Sequence, residues 1–398
     1  MKQWYDKRNG LIMPTFSDIA EKYISNKLIA GLEWDIKVKN NILSSGVAGF
    51  KDSRSNDPLE KNQIYRIFSM TKPIVSMACI RLIERNKIHL NSIAQEFIPS
   101  LKSLKVIQPG GSLERLKRPI TIVDLLTHTA GFSYSFNIGC QVASFYKESN
   151  LLNKPTLSLK EFVEEISTLP LAFQPGEAWR YSVSIDVLGR VLEVLEGKRL
   201  EDILKELIFD PLGMNETAFS IDETQNSRLM PMHGTNNFND LISLKQKDLE
   251  VVDIEKTHPS QGLNIQERGG GGLFSTVKDY QLFCNFLINR KDKEGSPLIS
   301  PMMHEFILKN RIPEKLLPLK LGPRLLDGYG WNLIGRIMID SGKAMSLTNN
   351  GEFGWAGAAS TFFWLDLQKN LSGVLMTQFT GRDLNLANEF RAASYAAL

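Results

Sequence analysis

Alternating and periodic hydrophobic positions divide the chain into blocks. Leu32, Trp34, Ile36 and Val38 recur at every second residue, which predicts a half-buried strand. Asn40-Asn41 supplies a turn, and Ile42–Phe50 predicts the returning strand of a hairpin. Ahead of them, residues 16–30 carry a helical pattern with Ile19, Tyr23, Lys27 and Leu28 along it, Ser17 as N-cap and Gly31 as stop. Ser53–Lys61 is polar and holds Pro58, so it reads as a loop. From Met70 to Ile83 the chain is apolar around the whole helical circumference, the mark of a buried helix. Pro73 is tolerated there only in a first turn, which puts the helix start near Ser69.

The middle of the chain, about 80–258, has few strand signals and several helix starts. Thr121 with Asp124 and Ser158 with Glu161 are capping pairs. Ile185–Gly197 shows Val187, Leu188, Val191, Leu192 and Leu195 on one face, and Leu200–Ile208 follows before a Pro211-Leu212-Gly213 stop. Residues 221–262 are polar and poorly patterned, a long surface excursion. Thr276–Asn289 is a further helix. Strands are predicted at Tyr329–Ile339, Ala344–Asn349, Ala359–Asp366 and Leu371–Gln378, with short turns that call for antiparallel pairing, and Asp383–Leu398 closes the chain as a helix. The order implies an α/β (α+β) fold. An antiparallel sheet flanked by helices draws on 1–79 and 259–398, and a mainly helical lobe, 80–258, is inserted into it.

Composition changes this picture little. The 398 residues provide ample core, and 42% hydrophobic with 23% charged residues is ordinary for a water-soluble globular chain. A net charge of +3 and the lack of a long basic run argue against nucleic acid as a partner. Met1–Pro14 carries Lys2, Asp6, Lys7 and Arg8 without an apolar run, so neither a signal peptide nor a membrane span is expected, and a cytoplasmic location follows. Cys79, Cys140 and Cys284 lie too far apart for a metal or disulfide pattern, and Cys79 reads as a buried small hydrophobe. The five histidines have no ligand spacing, so no metal or other cofactor is expected. His128, in Leu-Leu-Thr-His-Thr-Ala-Gly (125–131), is the most suggestive of them.

Candidate chemistry concentrates in Ile67-Phe68-Ser69-Met70-Thr71-Lys72-Pro73. On a helix, positions three apart share a face, so the Ser69 hydroxyl and the Lys72 amine can meet. An apolar setting lowers the pKa of such an amine, which could then take the serine proton. The same spacing occurs at Ser144/Lys147 and Ser275/Lys278, but without an apolar helix behind a strand-like lead-in. Tyr181, after the Pro175-Gly176 turn, could share that proton or protonate a leaving group. Gly351–Ala359 is rich in small residues, and an N–H from it, with that of Ser69, could cradle an oxyanion. Gly269–Gly272 lacks the spacing of a phosphate loop and is read as close backbone packing.

Taken together, Phe68-Ser69-Met70-Thr71-Lys72-Pro73, Leu125–Phe132, Pro175-Gly176 with Tyr181-Ser182-Val183, Asp210–Met214, Gly269–Thr276 and Trp355-Ala356-Gly357 resemble the serine β-lactamase and penicillin-binding protein superfamily. The resemblance is to its class C-like members and above all the family VIII carboxylesterases, and it runs over about 16–398. It implies Ser69 as acylated nucleophile, Lys72 as its proton partner, Tyr181 as general base or relay, and the N–H groups of Ser69 and Ala358 as oxyanion hole. It implies Trp355, Ala356, Gly357 and Val183 as substrate-binding positions in a cleft between sheet and helical lobe. Two departures shape the expectation. Val183 stands where lactamases and transpeptidases have asparagine, and Trp355 stands where they have a lysine. Both point to a carboxylesterase for short or medium acyl chains. A weak β-lactamase, a penicillin-binding peptidase, an acyltransferase and a non-catalytic binding protein are the alternatives, with a small ester or β-lactam-like molecule as partner.

Overall fold

A computed structural model describes residues 14–55, 57–137, 139–154, 156–235, 249–255, 258–261, 266–381 and 384–398. Seven strands form one antiparallel sheet: β1 (Gly31–Val38), β2 (Asn41–Gly49), β3 (Tyr329–Trp331), β4 (Arg336–Met338), β5 (Phe353–Gly357), β6 (Thr361–Asp366) and β7 (Leu371–Met376). Their order across the sheet is β2-β1-β7-β6-β5-β4-β3, so the first hairpin docks against the last strand. The two ends of the sequence are thereby zipped together, with Trp34 opposite Leu375.

Side-chain alternation explains the layers. On β6 and β7, Phe363, Leu365, Val374 and Met376 face the large core, while Trp364, Leu371 and Leu375 face a second core with Leu32, Trp34 and Ile36 of β1. Helices α1 (Phe16–Ser25) and α5 (Leu386–Ala396) cover the second face through Ile19, Tyr23 and Phe390. Helix α4 (Val277–Asn289) covers the first, where Tyr280 meets Phe363 with ring centroids 5.1 Å apart, and helix α2 (Thr71–Glu84) lies in the same large core. A sheet buried on both faces reads as a nearly continuous apolar run, as Thr361–Leu365 does. Helix α3 (Ser184–Glu196) is the centre of the helical part, packed against Ile122–Leu126, Leu159–Ile166, Leu200–Leu204 and α2.

Several expectations are corrected. Helix α1 stops at Ser25 because Lys27 turns left-handed (φ 53°) and the Leu28 N–H returns to the Tyr23 carbonyl. Its cap is Thr15, not Ser17: Thr15 Oγ1 accepts from the Asp18 N–H, and the Asp18 carboxylate takes the Thr15 N–H at 2.8 Å. Tyr329–Ile339 is two strands, not one, because the Asn332 side chain accepts the Ile334 and Gly335 N–H groups at 2.8 Å and folds the backbone over. Ala344–Asn349 is no strand. Phe353–Gly357, within the small-residue stretch 351–359, is one: a Cβ on Gly354 would stand 2.2 Å from the Phe363 carbonyl oxygen, so the glycine is there for a close strand pair. The helical part also holds an unforeseen hairpin, Lys105–Ile107 with Leu113–Arg115. Residues 221–262 are not a purely surface excursion. His233 bridges to Phe379, Leu229 bridges to Ile64, and Met230, Met232 and Ile254 are buried. Positions 236–248, 256–257 and 262 of that stretch, and Asp383 at the expected start of α5, lie outside the described residues. Among the described residues, no helix is long and apolar enough to cross a membrane.

The contact between sheet and α4 makes a direct prediction. Phe363→Ala leaves a cavity against Tyr280 and is expected to cost about 3–5 kcal/mol by urea denaturation. A loss under about 1 kcal/mol would show that this face does not hold the fold.

Candidate active site

The Ser69 turn is clamped on several sides. Tyr65-Arg66 pairs with Phe274-Ser275, and the Ile67 N–H donates to the Leu273 carbonyl at 3.1 Å. Phe68 then takes a left-handed conformation (φ 43°), uncommon for a bulky residue, with its ring 4.9 Å from that of His258. A short 3₁₀ turn, Phe68–Met70, leads into α2 with Pro73 in its first turn. Tyr280 Oη donates to the Met70 carbonyl at 2.9 Å, and Thr71 Oγ1 accepts the Leu273 N–H at 3.1 Å. On the sheet side a Cβ at Gly357 would stand 2.3 Å from the Ile67 carbonyl oxygen, so the end of β5 lies directly against this turn.

Lys72 is 2% exposed. Its ammonium donates to Ser69 Oγ at 3.3 Å, to Tyr134 Oη at 3.0 Å and to the Gly270 carbonyl at 2.5 Å. It also lies over the ring of Tyr181, 4.6 Å from the centroid. Burial lowers its pKa to about 7; the Asp186 carboxylate opposes the shift and the Arg268 guanidinium adds to it. Three acceptors match the three N–H bonds of an ammonium. A neutral amine keeps two, for Gly270 and Tyr134, and turns a lone pair to Ser69.

Tyr181 reaches the same point from the helical part. The Gly176 N–H donates to the Thr129 carbonyl, the Arg180 N–H to that of His128, and Asn137 Nδ2 to that of Tyr181. Its phenol accepts the Trp355 indole N–H at 2.9 Å, and the Ser69 side chain is near enough to act on its pKa. Burial raises its pKa well above the usual phenol value, with the Ser69 and Trp355 side chains pulling the other way. The ring sits in an aromatic box with His128, Trp331 and Trp355 at 4.8, 6.2 and 5.1 Å. His128 is buried, its pKa well below the ordinary imidazole value through desolvation and the nearby Lys72 charge. Its Nδ1 is 3.3 Å from Ser182 Oγ, and it packs against Tyr181 rather than reaching Ser69.

A cleft of about 370 Å³ opens over this cluster. Ser69, Tyr134, Tyr181, Gly270, Trp355, Ala356, Gly357 and Ala358 line it. Val183 does not: it is fully buried at the N-cap of α3. The other two serine–lysine pairs come to nothing comparable. Ser144 is exposed and bonds its own helix, and Ser275 Oγ pairs with Thr217 while Lys278 faces solvent. Gly269–Gly272 is the close-packed segment expected. A Cβ on Gly270 would stand 2.1 Å from Asp186 Oδ2, and the Gly270 N–H donates to Asp186 Oδ1 at 3.0 Å. Sequence reasoning missed Tyr134 and Asp186. Tyr134 follows the Thr-Ala-Gly-Phe run by two residues, and no spacing or periodicity ties it to Lys72.

The sheet, the helical part and a serine–lysine pair at the head of a buried helix define a β-lactamase/transpeptidase-like fold. The chain belongs to the beta-lactamase family of serine hydrolases, which it matches over residues 16–397. It is similar to Esterase EstB of Burkholderia gladioli, 32% identical over 89% of this chain and 88% of that one. It is also similar to Acyltransferase calJ of Penicillium decumbens, 27% identical over 85% and 81%. Among solved structures it resembles EstCE1, a hydrolase with promiscuous acyltransferase activity, with a TM-score of 0.80, 20% identity and coverage of 96% and 97%.

The lowered pKa of Lys72 has a consequence for stability. Between about 7 and 10.5 the unfolded chain binds the proton that the folded chain releases, so stability rises with pH through that window, and below it the full cost of burying the charge remains. Lys72→Met removes this dependence. Its stability relative to wild type is expected to improve as the pH falls from 9 to 6.5, read from urea midpoints. A difference flat in pH would show that Lys72 keeps an ordinary pKa.

Proposed function

We propose that the protein is a carboxylesterase that forms an acyl-enzyme on Ser69, with esters of short or medium acyl chains as substrates. The observation that carries the reading is the convergence of Ser69, Lys72 and Tyr181 under one cleft, with the amine buried and poised near neutral pH. Neutral Lys72 takes the Ser69 proton as Oγ attacks the ester carbonyl. The N–H groups of Ser69 and Ala358 receive the oxyanion. Tyr181, whose phenol stays protonated, passes a proton from Lys72 to the departing alkoxide instead of acting as a phenolate base. Water, activated in the same way, then releases the acid. No metal or cofactor enters these steps.

Trp355 supports the ester reading over a β-lactam one. Its indole N–H is committed to Tyr181, so this position supplies a fixed hydrogen bond and an aromatic wall where a lactamase places a cation. The esterase and acyltransferase names among the relatives also support it, and transfer to an alcohol in place of water is the second reading. A silent binding protein would have no use for an amine poised near neutral pH beside a serine. The division into a sheet part (1–79 and 259–398) and a helical part (80–258), and a cytoplasmic site of action, belong to the same proposal.

Mixing with p-nitrophenyl butyrate is expected to give burst release of nitrophenol, and a fluorophosphonate is expected to add its mass to Ser69. The kcat/KM profile should fall as the pH drops below about 7, because protonating Lys72 removes the base. Tyr181→Phe should lose about 10²–10⁴-fold in kcat/KM. Absence of turnover together with an unlabelled Ser69 would sink the proposal. Nitrocefin turnover exceeding that of esters would favour the lactamase branch.

A further inference from the structure

The far end of the cleft is cationic in a way that esterase chemistry at Ser69 does not use. Among the described residues lining it, Arg324, Arg336 and Arg391 are joined by one carboxylate, Asp327, and Glu352 lies directly behind. Glu352 is fully buried, and its two oxygens are used unequally: Oε1 has no hydrogen-bond partner and lies 3.7 Å from Arg336 Nη2. Its Oε2 accepts from Thr348 Oγ1 at 2.7 Å and Tyr329 Oη at 3.3 Å and is ion-paired with Arg391 Nη1 at 3.1 Å. Arg391 is committed to Glu352, to Tyr329 Oη at 2.7 Å and to Ser346 and Asn388.

Arg336 is placed differently. It leaves β4 opposite Gly354, one residue before Trp355 on the neighbouring strand. Its guanidinium stacks on the Tyr329 ring at 4.5 Å. Its Nη2 stays 3.7 Å from Glu352, beyond hydrogen-bond reach, and its Nε is buried without a hydrogen-bond partner. Two arginines thus share one buried carboxylate, Arg391 at Oε2 and Arg336 at Oε1, and Arg336 stands back from its oxygen without a hydrogen bond to it. A planar fork of donors, oriented by a ring on the lining of the cleft, suits a carboxylate in bidentate geometry.

We propose that the substrate is an ester carrying a carboxylate on the arm that runs from Ser69 toward β4, and that Arg336 binds that carboxylate. The cation lost where Trp355 stands is in effect moved one strand outward. There it addresses a remote acid group instead of one beside the scissile bond. The inference rests on the esterase reading for its reacting centre, but the anion site can be tested without turnover.

Two matched pairs separate the arms of the ester: 4-(butyryloxy)benzoate against its methyl ester for the alcohol arm, and monophenyl glutarate against phenyl methyl glutarate for the acyl arm. In one pair the acid is expected to bind Ser69→Ala protein about tenfold or more tighter by calorimetry, and to show the same preference in wild-type KM. The preference should shrink with salt. Arg336→Met should abolish it and Arg336→Lys should restore part of it, with circular dichroism and fluorophosphonate labelling of Ser69 confirming folded sites. Equal binding of acid and methyl ester in both pairs, or a preference that survives Arg336→Met, overturns the proposal. If the calorimetric preference is present but no ester turns over, the anion site stands and the hydrolase reading fails.

Discussion

The desolvation of one amine governs the design of the site. Moving Lys72 from 10.5 to about 7 corresponds to about 5 kcal/mol against its charged form. That is a sizeable share of the net stability of a folded domain, so the surroundings must hold the amine in place without restoring its charge. Neutral acceptors do this: the Gly270 carbonyl, the Tyr134 hydroxyl and Ser69 itself. The nearest carboxylate, Asp186, is set back. It grips the Gly270 N–H, so its charge reaches Lys72 through a peptide unit and not by contact. Arg268, 3.6 Å from Asp186, further offsets that charge.

This arrangement explains why glycine is required at position 270. The backbone must pass between Asp186 and Lys72, presenting its N–H to one and its carbonyl to the other, and a Cβ there would collide with the carboxylate. The Phe68 turn is held against its backbone preference by similar means, through Leu273, Tyr280 and the bare backbone of Gly357. Gly270 and Gly357 therefore act by their smallness, and not their chemistry, at two of the places where chain segments meet around Ser69.

Much of this was legible in the chain itself, for reasons that differ by element. The Ser69–Lys72 pair could be read because both lie on one helix, where spacing fixes geometry. Tyr181 could be placed only through its motif, since 109 positions separate it from Lys72 and no periodicity spans them. The strands at 361–366 and 371–376 showed as long apolar runs because both of their faces are buried. Strand β5 stayed hidden because Gly354 and Gly357, which look like turn residues, are there for close approach to neighbouring backbone. Tyr134 and Asp186 were missed because nothing local marks a phenol or a carboxylate as facing a lysine across two other elements. Val183 shows the opposite failure: a motif position carried over as substrate-facing is, in this chain, packed in the core.

Trp355 connects the chemistry to the specificity. In an aromatic box, an indole N–H can fix a phenol only if nothing charged competes for it, and a lysine at this position would both repel protonated Lys72 and pull on Tyr181. Once the box is aromatic, any cation for substrate recognition has to stand outside it. Arg336 satisfies that condition. It is on the next strand and lines the cleft, and it is not among the charges that set the proton affinity of Lys72, which are those of Asp186 and Arg268. A poised amine and a cationic lining can share one cleft here because burial, and not the arginines of the sheet side, sets the amine's pKa.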